Sequence, residues 1–355
     1  MLKNVNEDSI LLFEYFTASG ENNTDIKSEA ESLILALIED LKSFDIFLVM
    51  HKSYEYLVKD YKDINIIFID ENLEFWLNIN SGHFKRAVFI AGENEMKLYK
   101  LTKILENNNV KIYNSDSNAT LLCSNKFNTY NKLKNVVLQP ETVKIQINSK
   151  EDWKNELISV FNNWKNSKII IKPVNGIDCE GVSLISNLDD IINLKNDFPM
   201  NSFILVQKFI EGIDISVSLI SDGNKTIPIS LNKQNMTLTK GAENYLGGWL
   251  PHDSEYKEDI FNTSVEAVES IKGIKGFIGV DLILSEDKVY LIEINSRFTT
   301  PYAALQKIAN FNIGESIINL LDNKIELNDL EKEVSFSGYV FFKKDENQLS
   351  MEILK

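Results

Sequence analysis

The chain has 355 residues, 44% of them hydrophobic and 25% charged, a composition that suits a folded protein with a sizeable core. Its 52 acidic residues outnumber 37 basic ones, so the net charge is -15 and the pI near 4.8, with the acids scattered along the chain. Such a field repels nucleic-acid phosphates and anionic membranes, and neither nucleic acid nor membrane is expected as a partner.

No apolar run reaches the roughly 18 to 20 residues of a membrane span, and the start, MLKNVNEDSI, has acids where a secretory signal needs basic and then apolar residues. A cytoplasmic location is expected. The length exceeds what one small core holds, which points to two or three lobes with a crevice between them. Cys123 and Cys179 lie far apart without a CxxC or neighbouring histidine pattern, so two reduced thiols are expected, with no disulfide framework and no structural zinc. His51, His83 and His252 form no ligand spacing and read as solvated or structurally satisfied. No GxSxG or Cys/His arrangement suggests a nucleophilic hydrolase.

In chain order, the apolar runs Ile10 to Phe13, Ile46 to Met50, Ile64 to Ile69 and Ala87 to Ile90 predict buried strands, with helix-period stretches at Ala30 to Leu41 and Met96 to Glu106. This alternation predicts an α/β first lobe with a largely parallel sheet. A polar stretch, Asn114 to Asn118, then leads into a predicted helix, Thr120 to Leu133, that carries Lys126. The pattern next predicts a helix over Trp153 to Trp164, a strand over Lys168 to Ile171, a Gly-containing loop, and a strand over Val182 to Ile185. Strands follow at Phe203 to Gln207 and Asp214 to Ile220, and the segment from 230 to 251 reads equally as a substrate-facing flap, with Lys233 reaching phosphate, or as a plain surface excursion. A helix, Lys257 to Ile271, precedes the strands Phe277 to Leu284 and Lys288 to Ile294 around the turn Ser285, Glu286, Asp287. A helix at Ile313 to Leu321 and a closing strand at Val334 to Phe342 complete the pattern.

The strongest local signal is GFIGVDLILSEDKVYLIEINSRFTTPY, residues 276 to 302. Asp281 and Glu293 fall on neighbouring antiparallel strands, and Asn295 shares a face with Glu293 because side chains alternate along a strand. Hard carboxylate and carboxamide oxygens are what magnesium takes, leaving its other positions for water and phosphate oxygens. A strand pair with polar residues facing water is the bland alternative, but Glu293 and Asn295 interrupt an apolar run, and a buried acid needs a metal or cation partner.

On these residues the chain resembles the ATP-grasp family from about residue 120 to 320. The resemblance implies an ATP-grasp fold of mixed α/β and α+β class, with an N-terminal α/β lobe over residues 1–117, a small lobe over 118–206 and a large C-terminal lobe over 207–355. It implies that Asp281, Glu293 and Asn295 bind metal, with Mg2+ expected and Mn2+ an alternative. Arg297 matches the E-x-N-x-R form and is implied to stabilise charge on the transferred phosphoryl group. Lys172 at the end of IIIKPVNGIDCEG and Lys126 in CSNKFNTYNKL match family lysines that bind ATP phosphates, and the loop holding Gly176 and Gly181 is implied to cover the nucleotide, although Asp178 and Glu180 make it more acidic than usual. VQKFIEGIDISVSL resembles the interlobe segment, where Gln207 and the main chain of Lys208 and Ile210 would meet adenine and Asp214 the ribose.

Within the family, ILLFEYFTASG, the L-N-x-Q of Leu231 to Gln234, YLGGWLP and EINSRFTTPY are similar to ligases that join an amine to an amino-acid side-chain carboxylate. The implied reaction is ADP-forming, through an acyl phosphate, with small-molecule acid and amine as partners. Another acid and amine pair, a non-ligating ATP-binding protein, a kinase-like transferase, and a homo-oligomer all stay open at the level of sequence.

Overall fold

The computed structural model describes residues 5–149, 152–174, 182–194, 198–239, 242–345 and 348–354. Gly176, Asp178, Cys179, Glu180 and Gly181 of the expected nucleotide-covering loop lie outside the described residues.

Five parallel strands form the first sheet: β1 (Ile10–Glu14), β2 (Ile46–His51), β3 (Asn65–Ile69), β4 (Arg86–Ile90) and β5 (Lys111–Ile112), in the order β3-β2-β1-β4-β5. Strands covered on both faces are largely apolar, and β1 is buried at all five positions, four of them apolar and the fifth Glu14, whose carboxylate accepts from the Phe16 and Thr17 amides. The helix Thr24–Leu41 covers one face through Ala30, Ile34 and Leu37, while the helices Leu73–Asn80 and Lys97–Asn107 cover the other through Trp76, Leu77 and Leu101. β3, expected to be buried, is largely uncovered because it lies at the sheet edge.

The second sheet is antiparallel, with β6 (Thr142–Gln146), β7 (Ile169–Pro173), β8 (Ser183–Ile185) and β9 (Phe203–Lys208) in the order β6-β9-β7-β8. The helix Asp152–Asn163 packs Trp153, Leu157 and Phe161 against it and closes a core of its own.

The third sheet has seven antiparallel strands: β10 (Ile213–Ser221), β11 (Thr226–Thr239), β12 (Ala242–Leu250), β13 (Gly276–Ser285), β14 (Lys288–Asn295), β15 (Tyr339–Asp345) and β16 (Gln348–Leu354). Their order is β14-β13-β10-β11-β12-β15-β16. The described residues of the segment from 230 to 251 enter the sheet as parts of β11 and β12, so it is no plain surface excursion, and Gln234, Met236 and Tyr245 on it face a cavity. The first sheet ends at Ile112, the second spans Thr142 to Lys208 and the third begins at Ile213, while Ala119, Cys123 and Leu133 of the stretch between the first two sheets pack in the core under the third.

Two local expectations change. The helix expected over Thr120 to Leu133 is two helices, Ser117–Cys123 and Lys126–Leu133, because Asn125 turns its side chain onto the Asn128 amide at 3.0 Å and starts a new helix. The polar stretch Asn114 to Asn118 is largely buried: Asn114, Ser115 and Ser117 are buried, with Asn114 bonded to the Phe89 main chain and Ser117 to Glu106. The closing strand begins at Tyr339, since Phe336 makes only an isolated bridge to Ala309 and the chain bends at Ser337 and Gly338.

One core runs through the first and third sheets. Phe277, Phe298, Tyr302, Ile317 and Phe342 pack in the same cluster as Leu12, Ile34 and Leu48. Inside it, Asp40 accepts from the Tyr302 hydroxyl at 2.7 Å and the Gly314 amide at 2.8 Å. A Cβ on Gly314 would stand 2.8 Å from the Asp40 Cβ, so this contact needs glycine.

Candidate active site

β13 and β14 carry the centre of the site. A regular ladder counted from the pair Ser285 and Lys288 would set Asp281 opposite Ile292 and turn Glu293 to the other face. Instead the register shifts between Asp281 and Leu282, Ile292 is the extra residue, and Asp281 pairs directly with Glu293 and Gly279 with Asn295. This bulge puts both carboxylates and the carboxamide on one face. A Cβ on Gly279 would lie 2.8 Å from the Thr299 side chain, so glycine lets the segment after β14 close over the sheet.

That face walls a cavity of about 230 Å³ shared by Asp281, Glu293, Asn295, Arg297, Gln234 and Asp214. Asp281 accepts from Gln234 Nε2 at 2.9 Å and from Asn295 Nδ2 at 2.8 Å, one donor on each oxygen. Burial and the neighbouring Glu293 charge push its carboxyl up to about 6. Glu293 accepts from Lys126 Nζ at 2.7 Å. Burial alone would raise Glu293, yet the charges of Lys126, Lys172 and Arg297 outweigh it and hold the carboxyl below the usual range. The pair thus has one acid well supplied with positive charge and one short of it. Among the described residues no cluster of three His, Cys, Asp or Glu side chains could hold a metal, so the hard-oxygen set here is two carboxylates with the carboxamide of Asn295. Asn295 spends its nitrogen on Asp281, which leaves its oxygen as a donor atom for a cation; this chemistry fits magnesium.

A second cavity of about 170 Å³ adjoins the first, with Asp214, Met236, Ile283 and Ile292 lining both. Lys172, on β7 and only 6% exposed, lines it with Gln207, Lys208 and Ile210. Thr142 gives its hydroxyl proton to the Pro140 carbonyl at 2.8 Å, so its oxygen must accept the Gln207 amide nitrogen at 2.9 Å. The orientation of Gln207 follows: its oxygen is the end available to an amino group. Lys208 gives its main-chain N–H to the Glu141 carbonyl at 2.9 Å, so its carbonyl is what it can offer a base edge. Burial raises the Asp214 carboxyl, with Lys233 opposing. Lys233 donates to the Asp214 carbonyl at 3.2 Å from within β11.

Arg297 is held by a first-lobe acid. Its Nε lies 3.0 and 2.9 Å from the two oxygens of Glu93, which is 5% exposed and follows β4. Sequence reasoning missed Glu93, which is 204 residues from Arg297 and has no spacing to mark it. It also gave Gln234 no role, although Ser230, Asn232 and Gln234 alternate on β11 and their polar face points to the cavity side. His252 accepts from Trp249 Nε1 at 3.3 Å and His51 from the Ser53 amide at 3.2 Å, structural partners for two of the three histidines.

Residues 123–301 match the ATP-grasp domain family. The tyramine–L-glutamate ligase of Methanocaldococcus fervens is 32% identical over 302 residues, 84% of this chain and 89% of that protein. The tyramine–L-glutamate ligase of Methanocaldococcus jannaschii is 30% identical over 320 residues, 89% of this chain and 90% of that protein. Among solved structures, an ATP-grasp superfamily protein from Archaeoglobus fulgidus superposes with a TM-score of 0.71 at 22% identity, covering 98% of this chain and 99% of that one. With a domain match across half its length and ligases as relatives along most of it, the chain belongs to the ATP-grasp family.

Proposed function

We propose that the chain is an ATP-dependent, ADP-forming carboxylate–amine ligase that joins tyramine to the γ-carboxylate of L-glutamate. The observation that carries this reading is the cavity walled by Asp281, Glu293, Asn295 and Arg297, adjoining a second cavity that presents Lys172 and Gln207. ATP would lie across the two. Gln207 and the main chain of Lys208 and Ile210 would receive adenine, Asp214 the ribose, and Lys126 and Lys172 the phosphates. Asp281, Glu293 and Asn295 would hold Mg2+, or Mn2+ on the same donors. When bound, the cation neutralises phosphate charge as it passes to the acid.

A carboxylate resists amines, whereas an acyl phosphate does not. The γ-carboxylate oxygen would attack the terminal phosphorus of ATP and release ADP. The tyramine nitrogen would then attack the acyl carbon, phosphate would leave with the carboxylate oxygen, and the nitrogen would lose a proton. Arg297, which lines the first cavity, would face the transferring group and stabilise its charge, and the lobes would exclude water that hydrolyses the intermediate. No covalent nucleophile from the protein is required.

Incubation with glutamate, tyramine, ATP and Mg2+ tests the reading. The expected products are γ-glutamyltyramine, ADP and phosphate, with oxygen-18 from the γ-carboxylate recovered in phosphate. AMP and pyrophosphate would contradict the mechanism. ADP release only with another acid and amine would retain the mechanism and remove this substrate pair.

A further inference from the structure

One carboxylate in the first cavity has no part in the chemistry above. Glu29 comes from the first-lobe helix Thr24–Leu41 and shares the cavity wall with Tyr245, Thr299, Thr300 and Pro301. Its Oε2 accepts from the Thr300 hydroxyl at 2.6 Å, and Lys344 of β15 forms an ion pair at its other oxygen. The side chains of Glu29 and Lys344 are only 14% and 16% exposed. An ionised carboxylate offers about four acceptor sites, so these two partners fix the group without using its capacity. Burial, and then the charges of Glu29 and Asp281, push the Tyr245 hydroxyl well above its usual range, and all three residues line the same cavity.

The cavity wall therefore carries two sets of acidic groups, Asp281 with Glu293, which suit a metal, and Glu29, which is no part of that donor set. A substrate whose reacting carboxyl sits at Asp281 and Glu293 can present a cation to Glu29. The attacking amine is a poor occupant, because it must shed its proton and a buried carboxylate would keep that proton on. An ammonium that takes no part in the reaction gains from the same carboxylate.

We propose that Glu29, fixed by Thr300 and Lys344, binds the α-ammonium of the amino-acid substrate and selects α-amino acids over plain dicarboxylates. This rests on the ligase reading above. The first lobe then supplies specificity while the third sheet supplies the chemistry.

The test compares L-glutamate with glutarate, which keeps the reacting carboxyl and lacks the α-ammonium, in amine-dependent ADP release at saturating ATP and tyramine. Wild type is expected to prefer L-glutamate in kcat/KM by about 10- to 100-fold, the size of one charged hydrogen bond. Glu29→Gln is expected to bring that ratio close to one, chiefly through KM for L-glutamate. Glu29→Asp keeps the charge and is expected to retain most of the ratio. A wild-type ratio near one overturns the proposal without any variant, and so does a Glu29→Gln ratio within about twofold of wild type. ADP release that needs no added carboxylic acid would overturn the ligase reading and this subsite together, whereas L-glutamate turnover with an unaltered ratio would overturn the subsite alone.

Discussion

Replacing Glu93 by Gln should uncouple Arg297 from the lobe that aims it. The wild-type contact joins one guanidinium nitrogen to both carboxylate oxygens at 2.9 and 3.0 Å, with the acid 5% and the arginine 17% exposed. Removing one partner of a buried pair costs about 3 to 5 kcal/mol, because the other charge stays desolvated. Gln keeps the volume and one acceptor oxygen, so the expected loss is smaller, about 2 to 3 kcal/mol. If Arg297 acts on the transferred group, that loss enters kcat as a fall of about 30- to 150-fold. ATP affinity should hold, since Glu93 does not line the second cavity. Steady-state ADP release for Glu93→Gln, Arg297→Met and the double variant completes a cycle, in which a coupling of about 2 kcal/mol is expected. Additive losses, or a Glu93→Gln enzyme with wild-type kcat, would refute the idea that Glu93 positions Arg297 for the reaction.

Three further outcomes follow from the site and the first sheet. Asp281→Asn and Glu293→Gln should each cut turnover by about a hundred- to a thousandfold or more with unchanged melting curves, and chelation of Mg2+ should do the same reversibly; near-normal rates at limiting Mg2+ would remove the metal assignment. Lys172→Ala should weaken ATP binding by about 10- to 100-fold, read by calorimetry, and an unchanged affinity would make the lysine structural. Glu14, whose carboxyl burial raises to about 7 even as it caps Phe16 and Thr17, binds its proton more tightly in the folded state than unfolded. Its contribution is therefore fully present below about pH 4.5 and is lost as pH rises through 7, by up to about 3 kcal/mol. Denaturant unfolding of Glu14→Gln across pH 5 to 8 should show a flatter profile than wild type, and a parallel profile would refute the shift.

The parts of this molecule that were legible in advance are those whose cause is local. A run such as Ile10 to Phe13 is apolar at every position because β1 has both faces covered, and the helix Ile313–Leu321 was placed to the residue by its period. Glu293 and Asn295 could be put on one face by alternation alone. What alternation did not contain was the bulge at Ile292, which turns Glu293 to the face of Asp281. β11 and β12 were hidden by polar residues and by Gly247 and Gly248, where a Cβ would strike the neighbouring strand at 2.1 and 2.0 Å; those glycines mark close strand approach as readily as a loop. Glu29 and Glu93 enter the site from the first lobe, and no spacing along the chain predicts a contact across 204 residues or more.

The core that runs through the first and third sheets makes the N-terminal lobe a poor candidate for a modular part. A fragment beginning near residue 118 would retain the whole ATP-grasp match yet uncover Phe277, Phe298, Tyr302 and Phe342, whose apolar partners include Leu12, Ile34 and Leu48. Exchange of the lobe between relatives would meet the same obstacle, since Asp40 and Gly314 must fit each other at van der Waals distance. Chimeras that alter substrate choice must therefore transplant the helix Thr24–Leu41 together with the segment from Phe298 to Leu321 as one interlocking piece.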